Sequence, residues 1–163
     1  MAPTPSSQNG PEPQDVPSGR SPTLEPLEAL VGQWFVAMTH VALPETVYGY
    51  KTYGWLEGRH FLIERAHFGH PDVPDSLAII GADASGVGLS ARYFDSRGVE
   101  RELKMTLGGG KWTMWRDAPG FFQRFTGTFG EDGTTIDVVG ELSKDGVTWA
   151  PDFTHTYSRG KAE

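Results

Sequence analysis

The sequence predicts an all-β protein: an antiparallel up-and-down β-barrel of about ten strands with one short N-terminal helix, preceded by a disordered tail. Two observations carry this expectation. From residue 33 to residue 158, short runs rich in Val, Ile, Thr, Tyr, Phe and Trp alternate with Gly-containing turn signals, and no helical period returns after Gly32. The links between runs are of hairpin length, so each run can pair antiparallel with the one before it. Such a meander has two open edges, and rolling up until the first strand meets the last removes both. A Greek-key sandwich, the competing arrangement, needs at least one long connection, for which only 42–47 and 69–75 are candidates.

The chain has 163 residues, the size of one domain with one core. It contains no Cys, which excludes a disulfide framework, a thiolate metal site and a thiol nucleophile. Its 14 Lys and Arg against 21 Asp and Glu give a net charge of −7, with the basic residues scattered among acids. A phosphate-backbone binder needs clustered cations, so nucleic acid is not an expected partner. No run approaches the length of a membrane span and no signal-peptide pattern opens the chain, so a cytoplasmic protein without membrane association is expected.

Residues 1–22 hold half of the 12 prolines and a single large aliphatic residue, Val16. That composition cannot offset chain entropy by burial, so a disordered Pro-rich tail is expected there, with the barrel domain over 23–163. Leu24, Leu27, Leu30 and Val31 then recur at helical spacing, with Thr23 as the expected N-cap, Pro26 in the first turn and Gly32 as the stop. Strands are expected at 33–41, 48–56, 60–68, 76–83, 88–95, 99–107, 111–116, 121–129, 134–142 and 147–158. The turns between them include Glu57-Gly58, Ser85-Gly86, Arg97-Gly98, Pro119-Gly120, Asp132-Gly133 and Asp145-Gly146. Glycine there supplies the positive φ that tight turns require.

Period-two alternation splits each strand into two faces. One face of the first strand carries Trp34, Val36, Met38 and His40; one face of the third carries Phe61, Ile63, Arg65 and His67; one face of the last carries Trp149, Phe153, His155 and Tyr157. Each is apolar at one end with a His near the other, so inward placement of all three makes an aromatic floor below imidazoles and a guanidinium, the composition of a small-molecule pocket. In the middle strands, the weight of aromatic and apolar residues puts Leu89, Ala91 and Tyr93 inward, with Ser90, Arg92 and Phe94 as the alternative polar inner face, then Trp112 and Met114, then Phe121, Gln123, Phe125 and Phe129. The expected ligand contacts from the outer strands are Met38, His40, Ile63, Arg65 and His67, with Phe153, His155 and Tyr157. Tyr93, Trp112, Met114 and Phe125 complete the set. The loops 42–47 and 69–75, with Pro44, Pro71 and Pro74, are expected to border and gate the mouth. Outward aromatics would mark a contact between two copies in a homodimer.

Other chemistry is less well served. A zinc site would need His40, His67 and His155 to converge from three strands, and no metal site is expected. Asp137 with Glu141, or Asp152 with His155, could form an acid–base pair, although Asp152 and His155 have opposite parity on a regular strand. No Ser sits in a nucleophile elbow, and Gly108-Gly109-Gly110 lacks the Lys and helix of a phosphate loop. Glu64, Arg65, Arg101, Glu102, Arg116 and Asp117 are expected as solvent-facing or cross-strand charges.

Leu27-Glu28-Ala29-Leu30-Val31-Gly32-Gln33-Trp34, a short helix entering Gly-x-Trp, resembles the opening signature of the lipocalin and calycin barrels. The rest resembles a bacterial lipocalin-like family of unknown function, in Gly54-Trp55-Leu56-Glu57-Gly58, Ile79-Ile80-Gly81-Ala82-Asp83, Tyr93-Phe94-Asp95 and Phe125-Thr126-Gly127-Thr128-Phe129. The resemblance spans about residues 24 to 159. It implies a barrel floor closed by Trp34 with an Arg of the last strand, here Arg159, packed over it. It implies no common activity. Some calycin relatives, the nitrobindins, hold haem through a His near the C-terminus, and His155 resembles that ligand in placement only.

The expected function is therefore binding of a small hydrophobic or aromatic molecule inside the barrel, with no obligatory cofactor. The alternatives are a cofactor-free cyclase, isomerase or hydratase acting on a hydrophobic metabolite, and a haem-binding barrel with His155 as axial ligand.

Overall fold

The computed structural model describes Pro17 and residues 19–160. The expected disorder over 1–22 falls mostly on residues outside those described. All ten expected strands form: β1 (Gly32–His40), β2 (Val47–Trp55), β3 (Phe61–His67), β4 (Ser76–Ala82), β5 (Leu89–Asp95), β6 (Glu100–Gly108), β7 (Lys111–Arg116), β8 (Phe122–Phe129), β9 (Thr135–Ser143) and β10 (Ala150–Arg159). Each pairs antiparallel with its neighbour in sequence, and β1 pairs with β10 from Trp34 opposite Arg159 to His40 opposite Phe153. The result is a closed barrel with no free sheet edge, which is what a meander of hairpin-linked strands achieves by rolling up.

The N-terminal segment is a 3₁₀ helix, Pro22–Leu30, and its N-cap is Ser21 rather than Thr23. The Ser21 hydroxyl oxygen accepts from the Thr23 N–H at 3.4 Å. Leu24, Leu27 and Leu30 are all buried. Their spacing of three is the period of a 3₁₀ helix, so one side of it is wholly apolar. Ahead of the helix, the Arg20 guanidinium lies 4.3 Å from the Trp55 ring centre.

This helix stoppers one end of the barrel. Trp34 is fully buried beneath it and donates its indole N–H to the Leu30 carbonyl at 2.8 Å. The Arg159 guanidinium lies 4.0 Å from the Trp34 ring and donates to the carbonyls of Val31 at 2.8 Å and Ala29 at 2.7 Å. One cation thus covers an aromatic face and satisfies carbonyls at the helix end, which have no partners of their own. The expected Trp34–Arg159 floor is present.

At the other end the β5–β6 turn is tied to the barrel interior. Gly98 there has φ 83°, and Asp95 holds the turn by accepting from the Arg97 N–H at 2.9 Å and from the Tyr93 hydroxyl at 2.9 Å. On the outer surface of β1 and β2, Phe35, Tyr48 and Tyr50 are exposed. Among the described residues no helix is long and apolar enough to cross a membrane.

Candidate functional site

The strands enclose a cavity of about 440 Å³. Its walls are mostly apolar, with Met38, Met105 and Met114 alongside Phe68, Phe125 and Phe153. Three interior glycines shape these walls. A side chain at Gly127 would overlap the Trp112 indole, one at Gly140 the Phe153 ring, and one at Gly49 the Phe68 ring. Each aromatic therefore lies flat across a neighbouring strand, where a Cβ would push it into the cavity. Gly127→Ala is expected to lower stability by about 1–3 kcal/mol through overpacking. Unchanged thermal melting together with unchanged tryptophan emission would show that the indole does not rest there.

Of the sequence-predicted contacts, Met38, His40, Tyr93, Trp112, Met114, Phe125, Phe153, His155 and Tyr157 do line the cavity. Ile63, Arg65 and His67 do not. On β3 the buried face is Leu62, Glu64 and Ala66, while Phe61, Arg65 and His67 are exposed. The cause is register: Trp55 pairs with Leu62, Tyr53 with Glu64 and Lys51 with Ala66. With a side-chain period of two, that register turns the whole expected face outward. His67 instead binds Asp75, its Nδ1 2.7 Å from Oδ2, at the base of loop 69–75. The three-histidine zinc arrangement therefore does not form.

Of the two candidate gate loops, 69–75 contributes Val73 to the cavity wall and is followed there by Ser76, with Pro74 between them also lining it. Loop 42–47 is linked to it through Glu45, whose carboxylate lies 3.6 Å from the His70 ring.

The acid–base candidates also move. Asp137 is exposed and Glu141 pairs with Arg124 on the outside at 2.6 Å. The Arg124 guanidinium in turn lies 3.9 Å from the ring of Trp149, which precedes β10 and is not in the cavity wall. Between Pro151 and Phe153 the register of β10 against β9 shifts by one residue, a β-bulge. The extra residue, Asp152, faces inward beside Phe153, so strict alternation misjudges it. Its carboxylate meets His40 Nε2 at 3.1 Å rather than His155. His40 Nδ1 accepts from the Ala42 N–H at 3.0 Å, which orients the ring with Nε2 toward Asp152. Burial raises the Asp152 pKa, against the opposing pull of His40 and Arg101.

Two groups expected as solvent-facing or cross-strand charges, Glu64 and Arg101, line the cavity. Near the floor, Lys51 Nζ lies 2.7 Å from Glu64 Oε1, and both side chains are nearly excluded from water, at 12% and 10% exposure. Burial by itself lowers the Lys51 pKa, but the Glu64 carboxylate, helped by Tyr157, outweighs it and the pKa moves up. Tyr53 and Tyr157 flank the pair, and burial raises both phenols, keeping them protonated. The signal was available in Leu62-x-Glu64-x-Ala66, an acid on an otherwise apolar face, which requires a cation at a neighbouring inward position. Toward the mouth, Arg101 donates to Gln123 Oε1 at 3.2 Å. Burial and the bond to Asp95 push the Tyr93 pKa up to about 12.

His155 sits midway along β10, its ring 4.5 Å from Phe153, 5.9 Å from Tyr157 and 6.0 Å from Phe68. Burial, then the nearby charge of Lys51 and His40, holds its pKa well below the ordinary histidine value. Its Nδ1 and the Trp112 Nε1 are both buried without a hydrogen-bond partner.

No family model matches the chain, and no curated protein matches it either. The closed ten-strand antiparallel barrel with its helix-stoppered floor is compatible with a lipocalin-like fold.

Proposed function

We propose that this lipocalin-like barrel binds a small hydrophobic or aromatic molecule in its central cavity. The cavity carries the reading: at about 440 Å³ it falls within the range of roughly 300–1,000 Å³ typical of small-molecule sites. Its walls are largely Met and aromatic, surfaces that adapt to flat or flexible apolar ligands. In this reading a few polar groups of the wall, His155 among them, orient what binds. Native mass spectrometry of the freshly purified protein tests this reading, with absorption from about 300 to 700 nm on the same sample. The expected result is extra mass that disappears on denaturation, or, after delipidation, saturable quenching of tryptophan emission by an added naphthalene. Failure of both would sink the reading.

A cofactor-free acid–base enzyme is the second reading, favoured by the His40–Asp152 contact at the mouth. A carboxylate whose pKa burial has raised, beside an imidazole oriented by the Ala42 N–H, is suited to exchanging a proton with a bound molecule. Asp152→Asn would then abolish turnover while leaving binding in place. Haem with His155 as axial ligand is the less supported reading. The guanidiniums at the mouth that could meet its propionates, Arg97 and Arg101, are already engaged by Asp95 and Gln123. A Soret band on the purified protein would restore it.

A further inference from the structure

A charge on an inward face calls for a counter-charge, and one cation of this wall is not answered by a carboxylate. Lys51 has Glu64 at 2.7 Å. Arg97 has Asp95, its terminal nitrogen 2.7 Å from Oδ2. Arg101 alternates along β6 with Leu103 and Met105, both buried, so the period of two turns it to the same inward face. Among the described residues it forms no ion pair, and its guanidinium donates instead to Gln123 Oε1 at 3.2 Å, a neutral acceptor. The Phe121 ring centre lies 5.1 Å from the guanidinium carbon, within cation–π range, and steadies it at the mouth.

Asp152 feels the charge of Arg101 but contacts His40, at 3.1 Å, and burial raises its pKa despite the pull of both. The bond to Gln123 leaves the other N–H groups of the guanidinium without a protein partner, and it leaves the Gln123 amide nitrogen as a further donor. These groups are reachable. The wall atoms that are both sealed and unpartnered belong to Trp112 and His155, whereas Arg101 is partly exposed, and both it and Gln123 line the cavity. A guanidinium presents its donors in a planar fork that matches a carboxylate, and such charge-assisted pairs are the stronger hydrogen bonds. A phosphate dianion fits less well, because Asp152 and the Arg97-bound Asp95 stand at the same mouth and repel a second negative charge. One unpaired cation likewise meets one carboxylate, not the two of a haem.

We infer that the ligand is an amphipathic monocarboxylate: its apolar body lies among the Met and aromatic walls, and its carboxylate is received at the mouth by Arg101 and the Gln123 amide. The inference rests on the ligand-binding reading and deepens it, fixing the headgroup and the end of the ligand that stays outermost. At the mouth the carboxylate keeps part of its hydration, so its desolvation costs little, while the body supplies the apolar burial.

Three probes of one shape test it, each titrated into the full-length protein at about pH 7 by tryptophan quenching: 2-naphthoate, the neutral 2-acetylnaphthalene and the cationic 2-naphthylmethylamine. Naphthoate is expected to bind about tenfold more tightly than the acetyl compound, and the amine more weakly than either. Arg101→Gln is expected to bring the naphthoate-to-acetyl ratio close to one. Its affinity for the acetyl compound, kept within about twofold of the parent, shows that the variant is folded and its cavity intact. Arg101→Met, which keeps the apolar stem, gives a second removal of the charge should the first variant fail to fold. Equal or tighter binding of the acetyl compound or the amine by the parent protein overturns the inference while leaving the cavity a binding site. So does a preference for naphthoate that survives removal of the Arg101 charge. No binding by any of the three overturns the binding reading itself.

Discussion

Glu64→Ala is expected to destabilise the barrel by about 3–5 kcal/mol at neutral pH, because it leaves the Lys51 ammonium buried without its counter-charge. The two side chains are 12% and 10% exposed, so water screens the pair little. Replacing both partners, with Lys51→Met and Glu64→Leu, is expected to recover most of the loss, since an apolar pair needs no compensation. The pH dependence separates this cause from simple loss of packing. In the native chain the Lys51 pKa lies above its ordinary value of 10.5, so its contribution is fully present below that value and is lost as pH rises through the folded one. Without Glu64, burial dominates and the folded Lys51 pKa drops below that of the unfolded chain. The unfolded state then binds more protons, and stability rises with pH. Urea denaturation at pH 7 and pH 9.5 should therefore show the Glu64→Ala variant gaining stability at the higher pH. A variant equally stable at both, or one as stable as the parent at pH 7, would show that Lys51 escapes to water.

The second large effect is expected at the floor. Trp34 is fully buried, and Trp34→Ala should cost about 3–5 kcal/mol, the usual penalty for emptying a large aromatic site. Arg159→Ala should cost about 1–3 kcal/mol, since the carbonyls of Val31 and Ala29 lose their donor. The two losses should not add. Once Trp34 is gone, Arg159 has no ring to cover, so the double variant is expected to fall short of the sum by at least about 0.5 kcal/mol. Strict additivity in chemical denaturation would mean that the cation and the ring contribute separately.

The division of the chain into strands was legible because it depends on local signals. Turn glycines, β-branched and aromatic runs, and the short links between them each act within a few residues, and they placed all ten strands and the helix. Side-chain direction was legible where a face carried an unmistakable apolar majority. Trp34, Val36 and Met38 on β1, Leu89 and Ala91 on β5, and Trp112 and Met114 on β7 all point inward as expected. It failed on β3, where both faces mix apolar and charged residues. There the choice between Glu64 and Arg65 depends on which has an opposite charge across the strand pair, and Lys51, inward on β2, answers Glu64.

Asp152 shows a second limit. Alternation places it outside, and a single extra residue between Pro151 and Phe153 turns it in to meet His40, which lies on the strand that closes the barrel. The sequence by itself determined the barrel, its strand order and most of its aromatic wall, because patterning and turn chemistry are local; its Trp34–Arg159 floor was legible only through the family resemblance. Only the tertiary structure decided which charges are interior and how they pair. A buried charge is tolerated solely where a partner arrives from another strand, and that depends on register, bulges and closure, none of which a single strand encodes.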